Sequence, residues 1–170
     1  GGDDVLDGGD GIDASEFTVS NIVLTDSSTP GAGSDTTISI ESLQLSAAGP
    51  GSVIDASAYT LGSVTIIGSG GADTLRGGSG DDFILAGGGA DVVEGGGGAD
   101  NLMGNAGDDT LSGGEGDDSI SGGSGHDVLV GDAGTDFVRG GGGSDTIRGG
   151  SDDDTLFGEA GADTMFGDDG

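Results

Sequence analysis

From Gly68 to Phe166 the chain divides into eleven consecutive nonapeptides with no insertion or deletion between them. They read GSGGADTLR, GGSGDDFIL, AGGGADVVE, GGGGADNLM, GNAGDDTLS, GGEGDDSIS, GGSGHDVLV, GDAGTDFVR, GGGGSDTIR, GGSDDDTLF and GEAGADTMF. A twelfth begins at Gly167 and is cut at Gly170. The sixth position is always aspartate: Asp73, Asp82, Asp91, Asp100, Asp109, Asp118, Asp127, Asp136, Asp145, Asp154 and Asp163. The eighth is always apolar: Leu75, Ile84, Val93, Leu102, Leu111, Ile120, Leu129, Val138, Ile147, Leu156 and Met165. The first and fourth are glycine in ten of the eleven, with Ala86 and Asp152 as the exceptions. A fixed period of this kind marks an architecture in which each unit buries its apolar face only by stacking on its neighbours.

The period decides a question that composition leaves open. With 43 glycines and 32 acids in 170 residues, the chain has the make-up of a disordered polar tract. Low complexity does not hold two positions through eleven periods, so an ordered repeat is expected. Each held position has a physical use. Glycine reaches positive φ at little cost and suits a tight turn repeated in every unit. One apolar side chain per period faces inward on a short strand while its neighbours face out. An aspartate among glycines leaves a carboxylate beside accessible backbone carbonyls, which are the ligands that a hard cation such as calcium takes.

These residues resemble the RTX family, the haemolysin-type calcium-binding repeat Gly-Gly-x-Gly-x-Asp-x-apolar-x. The resemblance covers residues 68–170. It implies an all-β fold, a right-handed parallel β-roll (a β-solenoid) with calcium ions in the turn loops. Two nonapeptides form one turn, and the eleven aspartates serve as side-chain ligands with loop carbonyls completing each shell. About nine ions fit between eleven repeats bridged in pairs on this reading. Asp152 departs from the pattern, so a distorted loop is expected there. Same-edge aspartates stack at the strand spacing, roughly 5 Å apart. At an effective dielectric of 20 two such charges repel by about 3 kcal/mol, so folding is expected to depend on the metal. Extracellular calcium modules bind at about 10⁻⁴–10⁻³ M, which predicts a chain unfolded inside the cell and rigid outside it.

Residues 1–16 carry a degenerate trace of the same repeat. Gly2, Asp4 and Leu6 hold its fourth, sixth and eighth positions, and a calcium at Asp4 is expected. The unit GGDGIDASE keeps Asp13 but has Ser15 where the apolar residue belongs. Over 17–67 the repeat gives way to β-prone segments, Phe17–Leu24, Thr36–Leu45, Ser52–Ile54 and Val64–Ile67, with turns at Pro30-Gly31 and Pro50-Gly51. Thr37-Ile38-Ser39-Ile40 alternates as a half-buried strand does. Ile12–Thr18 returns, with two substitutions, in Ile54–Thr60. Longer metal-free solenoid turns continuing the stack are expected here, and a small β-sandwich is the competing reading.

Other chemistry finds little support. A net charge of −29 repels nucleic acid and anionic membranes. No stretch approaches the roughly 18 apolar residues of a membrane span, so no membrane insertion is expected. Gly1-Gly2-Asp3-Asp4 has neither the basic region nor the apolar core of a signal peptide. The chain has no cysteine, no lysine and a single histidine, His126. A phosphate loop therefore lacks its lysine, and His126 has no second histidine or cysteine for a zinc site. No serine has glycines two residues to either side, so the nucleophile elbow is absent. No enzyme is expected. Arg76, Arg139 and Arg148 stand at the outward ninth position, and Phe83, Val92 and Phe137 at the outward seventh.

Three roles fit such a chain: a structural segment of a large exported or cell-surface protein, of adhesin or surface-layer type; a protomer of an extracellular filament; or the C-terminal module of a secreted enzyme. Both ends stop inside a repeat, so copies of itself or neighbouring segments of a longer chain are the partners expected besides calcium.

Overall fold

The computed structural model describes residues 15–19, 21–23, 42–47, 50–60 and 62–170. These form sixteen strands and, among the described residues, no helix. The strands alternate between two parallel sheets. The first holds β1 (Ser15–Val19), β3 (Ser42–Ala47), β5 (Ser63–Ile67), β7 (Phe83–Gly88), β9 (Asn101–Ala106), β11 (Ser119–Ser124), β13 (Phe137–Gly142) and β15 (Thr155–Ala160), in that order. The second holds β2 (Asn21–Val23), β4 (Val53–Asp55), β6 (Thr74–Arg76), β8 (Val92–Gly97), β10 (Thr110–Glu115), β12 (Val128–Ala133), β14 (Thr146–Ser151) and β16 (Thr164–Asp169). The chain thus winds as a parallel β-solenoid, laying one strand in each sheet per turn.

Register follows the nonapeptide. Leu111 lies opposite Val93 on one side and Leu129 on the other, so each turn advances by two repeats. That constant step keeps every eighth position over the same position of the turn below. Before the repeats begin the steps are longer, with Ser15 opposite Leu43 and Asn21 opposite Val53. They shorten where Ser42 pairs with Ser63 and Val53 with Thr74. Thr65 opposite Phe83 and Thr74 opposite Val92 bring the step down to two nonapeptides. Turns of different length share the same two ladders because only the strand residues need to match. Of the internal echo, Ser15–Val19 is strand, whereas Ser57 and Ala58 form a turn. The segment Thr37–Ile40 lies outside the described residues.

The core is one file of side chains from each sheet. Leu75, Val93, Leu111, Leu129 and Ile147 come from the second sheet and Ile84, Leu102, Ile120 and Val138 from the first, all 0–1 % exposed. The file continues into the longer turns through Leu45, Ile54, Val64 and Ile66. In β10, Thr110 is exposed, Leu111 buried, Ser112 half-buried and Gly113 buried again. So the first position of the following repeat also faces inward, and at Ala86 it carries a buried methyl. With one large side chain per strand, each is expensive to lose. Leu111→Ala is expected to cost about 2–5 kcal/mol. Val92→Ala, at a position 41 % exposed on the outer face, should stay within about 0.5 kcal/mol. Denaturant unfolding in saturating calcium measures both.

The glycines divide by role, and the structure corrects the sequence reading of them. From Gly87 onward positive φ occurs at the fourth position, as expected, and at the second rather than the first; Gly96 and Gly98 show the pair at 116° and 102°. At the second position Asn105, Asp132, Glu159 and Asp168 take the same left-handed conformation. Asp152 takes it at the fourth, with φ 79°, and so keeps the backbone class of its repeat rather than distorting the loop. First-position glycines have no positive φ. Their requirement comes from what lies above them, described next.

Candidate metal centre

The turn between strands ends at the sixth position, which places the aspartates in two columns, one along each edge. Asp73, Asp91, Asp109, Asp127, Asp145 and Asp163 form one; Asp82, Asp100, Asp118, Asp136 and Asp154 form the other. Within a column each aspartate N–H donates to Oδ1 of the aspartate one turn on. Asp91 donates to Asp109 at 2.8 Å and Asp100 to Asp118 at 2.7 Å. The pattern continues through Asp136 to Asp154 and Asp145 to Asp163, both at 3.0 Å. The carboxylates from Asp73 to Asp145 are turned inward and are 1–3 % exposed.

The second carboxylate oxygen is the unusual one. In Asp91, Asp100, Asp109, Asp118, Asp127, Asp136, Asp145 and Asp154, Oδ2 is buried and accepts no hydrogen bond. An unpartnered buried carboxylate oxygen is costly, and here the cost recurs eight times. Each of these oxygens, Asp91's apart, leans over the first-position glycine of its own repeat. A methyl group on Gly95 would lie 2.3 Å from Asp100 Oδ2 and 2.6 Å from the carbonyl oxygen of Gly113. On Gly113 it would lie 2.1 Å from Asp118 Oδ2 and 2.7 Å from the carbonyl of Gly131. In these seven repeats the first glycine therefore keeps open a cradle walled by a carboxylate oxygen and by a carbonyl of the turn above, whereas the repeat of Asp91 has the buried Ala86 at that position.

Asp73 and Asp82 differ in their hydrogen bonds, although Asp82 Oδ2 also leans over its own first-position glycine: a methyl on Gly77 would lie 2.3 Å from it and 2.3 Å from the carbonyl oxygen of Gly95. Asp73 Oδ2 accepts from the Ser69 N–H and the Ser69 hydroxyl, both at 2.8 Å, and its Oδ1 accepts from Ser52 N–H at 2.7 Å. Asp82 Oδ2 accepts from Gly78 N–H and its Oδ1 from Val64 N–H, both at 2.6 Å. Asp163, in the last turn, is half-buried. Asp4 and Asp13 lie outside the described residues.

Burial pushes up the carboxyls of Asp82, Asp91, Asp100, Asp109, Asp118, Asp127 and Asp136, and like charges along and beside the column add to the rise. The backbone N–H bonds work against it. Asp100 reaches about 7, and Asp109 and Asp118 about 6. Asp82, Asp91, Asp127 and Asp136 are raised for the same first cause. These groups sit where an ionised carboxylate is disfavoured unless a cation accompanies it.

Outside the columns the charged groups pair across the surface. Arg76 bridges Asp55 and Glu94, at 3.7 and 2.8 Å. Arg139 meets Glu159 and Arg148 meets Asp168, each across to the neighbouring strand of its sheet. Arg139 also covers the rings of Phe137 and Phe157, and Arg148 that of Phe166. Phe83 and Val92 are exposed. At the fifth position, Asp108, His126 and Ser144 stack in consecutive turns, joined through backbone donors. Asp108 Oδ1 accepts from His126 N–H at 2.8 Å, and His126 Nδ1 accepts from Ser144 N–H at 2.9 Å. Nδ1 is thereby occupied by a backbone amide, so the carboxylate does not orient the imidazole as it would in a triad.

Two inward files of carboxylates on a glycine-lined parallel solenoid define a repeat that binds cations in its turns. Comparison with known families agrees: the RTX calcium-binding nonapeptide repeat, in four-copy units, matches residues 67–102, 103–138 and 139–170. The chain belongs to this family, whose repeats bind calcium. No curated protein matches the chain.

The residues present fit the ion. Among the described residues no group of three or more acidic, histidine or cysteine side chains surrounds one point, so each shell draws on backbone oxygen. The cradles supply that combination, a carboxylate Oδ2 beside a main-chain carbonyl, and it is an all-oxygen donor set suited to calcium. A bound ion would supply the positive charge that the eight orphaned oxygens lack.

Proposed function

We propose that the chain is a calcium-dependent structural module, without catalysis of its own, in a large exported or cell-surface protein of the adhesin or surface-layer kind. The observation that carries this reading is the run of eight buried, unpaired carboxylate oxygens stacked turn upon turn. Such a stack makes ion binding part of the folding free energy. A chain of net charge −29 stays expanded by self-repulsion where calcium is scarce. Where calcium is millimolar, ions neutralise the columns and the turns close on one another. The outer faces carry ion pairs and scattered apolar residues on a rigid rod, which suits a spacer holding other segments at a distance.

Sedimentation velocity in chelator and in millimolar calcium tests this. The expected result is a slow, expanded species in chelator that becomes a compact monomer with calcium. Equal sedimentation in the two conditions would sink the reading. Large species that appear only with calcium would replace the spacer by a filament protomer.

A further inference from the structure

All eleven nonapeptides carry the aspartate, yet the structure treats the first two differently, and two independent features of the backbone agree on where the change falls. The first is conformation. Within residues 68–85 no residue has positive φ, whereas from Gly87 onward the second and fourth positions of the repeats take it turn after turn. The second is hydrogen bonding. Asp73 accepts three hydrogen bonds and Asp82 two, distributed over both oxygens. From Asp91 to Asp154 one oxygen is served by the column and the other is buried and orphaned.

The cause lies in what each loop stacks upon. Loop 86–91 and those after it rest on another nonapeptide loop, two repeats earlier in the chain. Loop 68–73 rests instead on the Pro50-Gly51 turn: a methyl on Gly71 would meet Pro50, and Ser52 N–H reaches Asp73. Loop 77–82 rests on residues 59–60 and 62–64, where Ser79 N–H donates to the Tyr59 carbonyl at 3.2 Å and Val64 N–H to Asp82. Neither support repeats the nonapeptide. Both loops adapt by turning the second-position N–H, of Ser69 and of Gly78, onto the carboxylate of their own repeat. In these loops donors from the second position satisfy the Oδ2 that the later aspartates leave bare, and at Asp82 they do so although the Gly77 cradle has the same walls as the later ones.

We infer that the calcium sites of this chain begin at Asp91 and are served by Asp91, Asp100, Asp109, Asp118, Asp127, Asp136, Asp145 and Asp154, while Asp73 and Asp82 are hydrogen-bond acceptors that join the metal-free turns to the calcium-filled ones. The inference rests on the calcium reading above and goes beyond it by separating repeats that the sequence pattern treats alike. The expected count is at most eight ions, one for each orphaned oxygen.

Isothermal titration of the full chain with calcium, with circular dichroism at saturation, compares wild type with Asp73→Asn, Asp82→Asn, Asp109→Asn and Asp118→Asn. Asp73→Asn and Asp82→Asn are expected to keep the wild-type stoichiometry, and Asp109→Asn and Asp118→Asn to lose at least one ion each. Loss of an ion from Asp82→Asn or Asp73→Asn equal to that from Asp109→Asn overturns the assignment while leaving the calcium module standing. A wild-type chain that takes up no calcium overturns both. Because a substituted chain can fail to fold, a crystal structure of the wild type grown in calcium gives a second reading. Density for an ion against Asp73 or Asp82 refutes the assignment, and density beginning at Asp91 supports it.

Discussion

Acidifying the calcium-free chain from about pH 7.5 to about pH 5 should make it more structured, the reverse of ordinary acid denaturation. The reversal follows from the sign of the carboxyl shifts. In the folded, metal-free chain, burial first of all holds Asp100 at about 7 and Asp109 and Asp118 at about 6, with Asp82, Asp91, Asp127 and Asp136 raised in the same direction. Unfolded, each returns to the ordinary value near about 3.9. Between about pH 4 and pH 7 the folded state therefore binds more protons than the unfolded one, and stability falls as pH rises through that window. The contribution is fully present below about pH 4 and is lost by about pH 7. On Asp91, Asp100, Asp109, Asp118, Asp127 and Asp136 a proton stands in for the ion, and the same protonation lowers calcium affinity. Circular dichroism in chelator at the two pH values checks this, at low protein concentration because the isoelectric point is about 4.1. A spectrum as disordered at the lower pH as at the higher would refute the claim that desolvated carboxylates are what keep the metal-free chain open.

Much of this architecture is legible in the nonapeptide itself. One apolar residue per nine, at the eighth position, leads to short strands with one inward side chain, the resemblance to the RTX repeat implies two nonapeptides per turn, and Leu111 between Val93 and Leu129 is the outcome. The invariance of the sixth position points to the columns. The glycines are less legible. Fourth-position glycines answer a conformational demand. First-position glycines answer a steric one, imposed by Asp Oδ2 and by a carbonyl of the adjacent turn. A single sequence prints the same letter for both. The left-handed second position is hidden for another reason: asparagine and aspartate tolerate that conformation, and Asn105 and Asp132 occupy it. Least legible is the difference between Asp82 and Asp100. GGSGDDFIL matches the repeat as well as GGGGADNLM does, and what separates them is the support beneath, residues 59–60 and 62–64 against residues 77–82. That is long-range context, and no local pattern carries it.

Gly142→Ala and Gly143→Ala, at adjacent positions, should give opposite results. A methyl on Gly142 meets nothing within 4 Å, and the residue has no positive φ. Alanine there restricts the unfolded chain without disturbing the fold, so stability should be unchanged or higher by up to about 1 kcal/mol. Gly143 has φ 146°, and a methyl would lie 1.6 Å from the carbonyl oxygen of Gly125 in the turn below. Both residues are tied into the stack, the Gly143 N–H donating to the Ala160 carbonyl and the Gly125 N–H to the Gly142 carbonyl, both at 2.8 Å. The clash is relieved only by parting two turns or by driving the backbone out of the left-handed region. Either costs about 3 kcal/mol or more. In a solenoid, where each turn contacts only its neighbours, the damage falls on one interface, between the turns of Gly125 and Gly143, and uncouples what lies beyond it. Calcium titrations followed by circular dichroism should show Gly142→Ala superimposing on wild type. Gly143→Ala should need more calcium and separate into two transitions. A single wild-type transition for Gly143→Ala would mean that the turns are not packed as closely as the stacking of Gly125 under Gly143 requires.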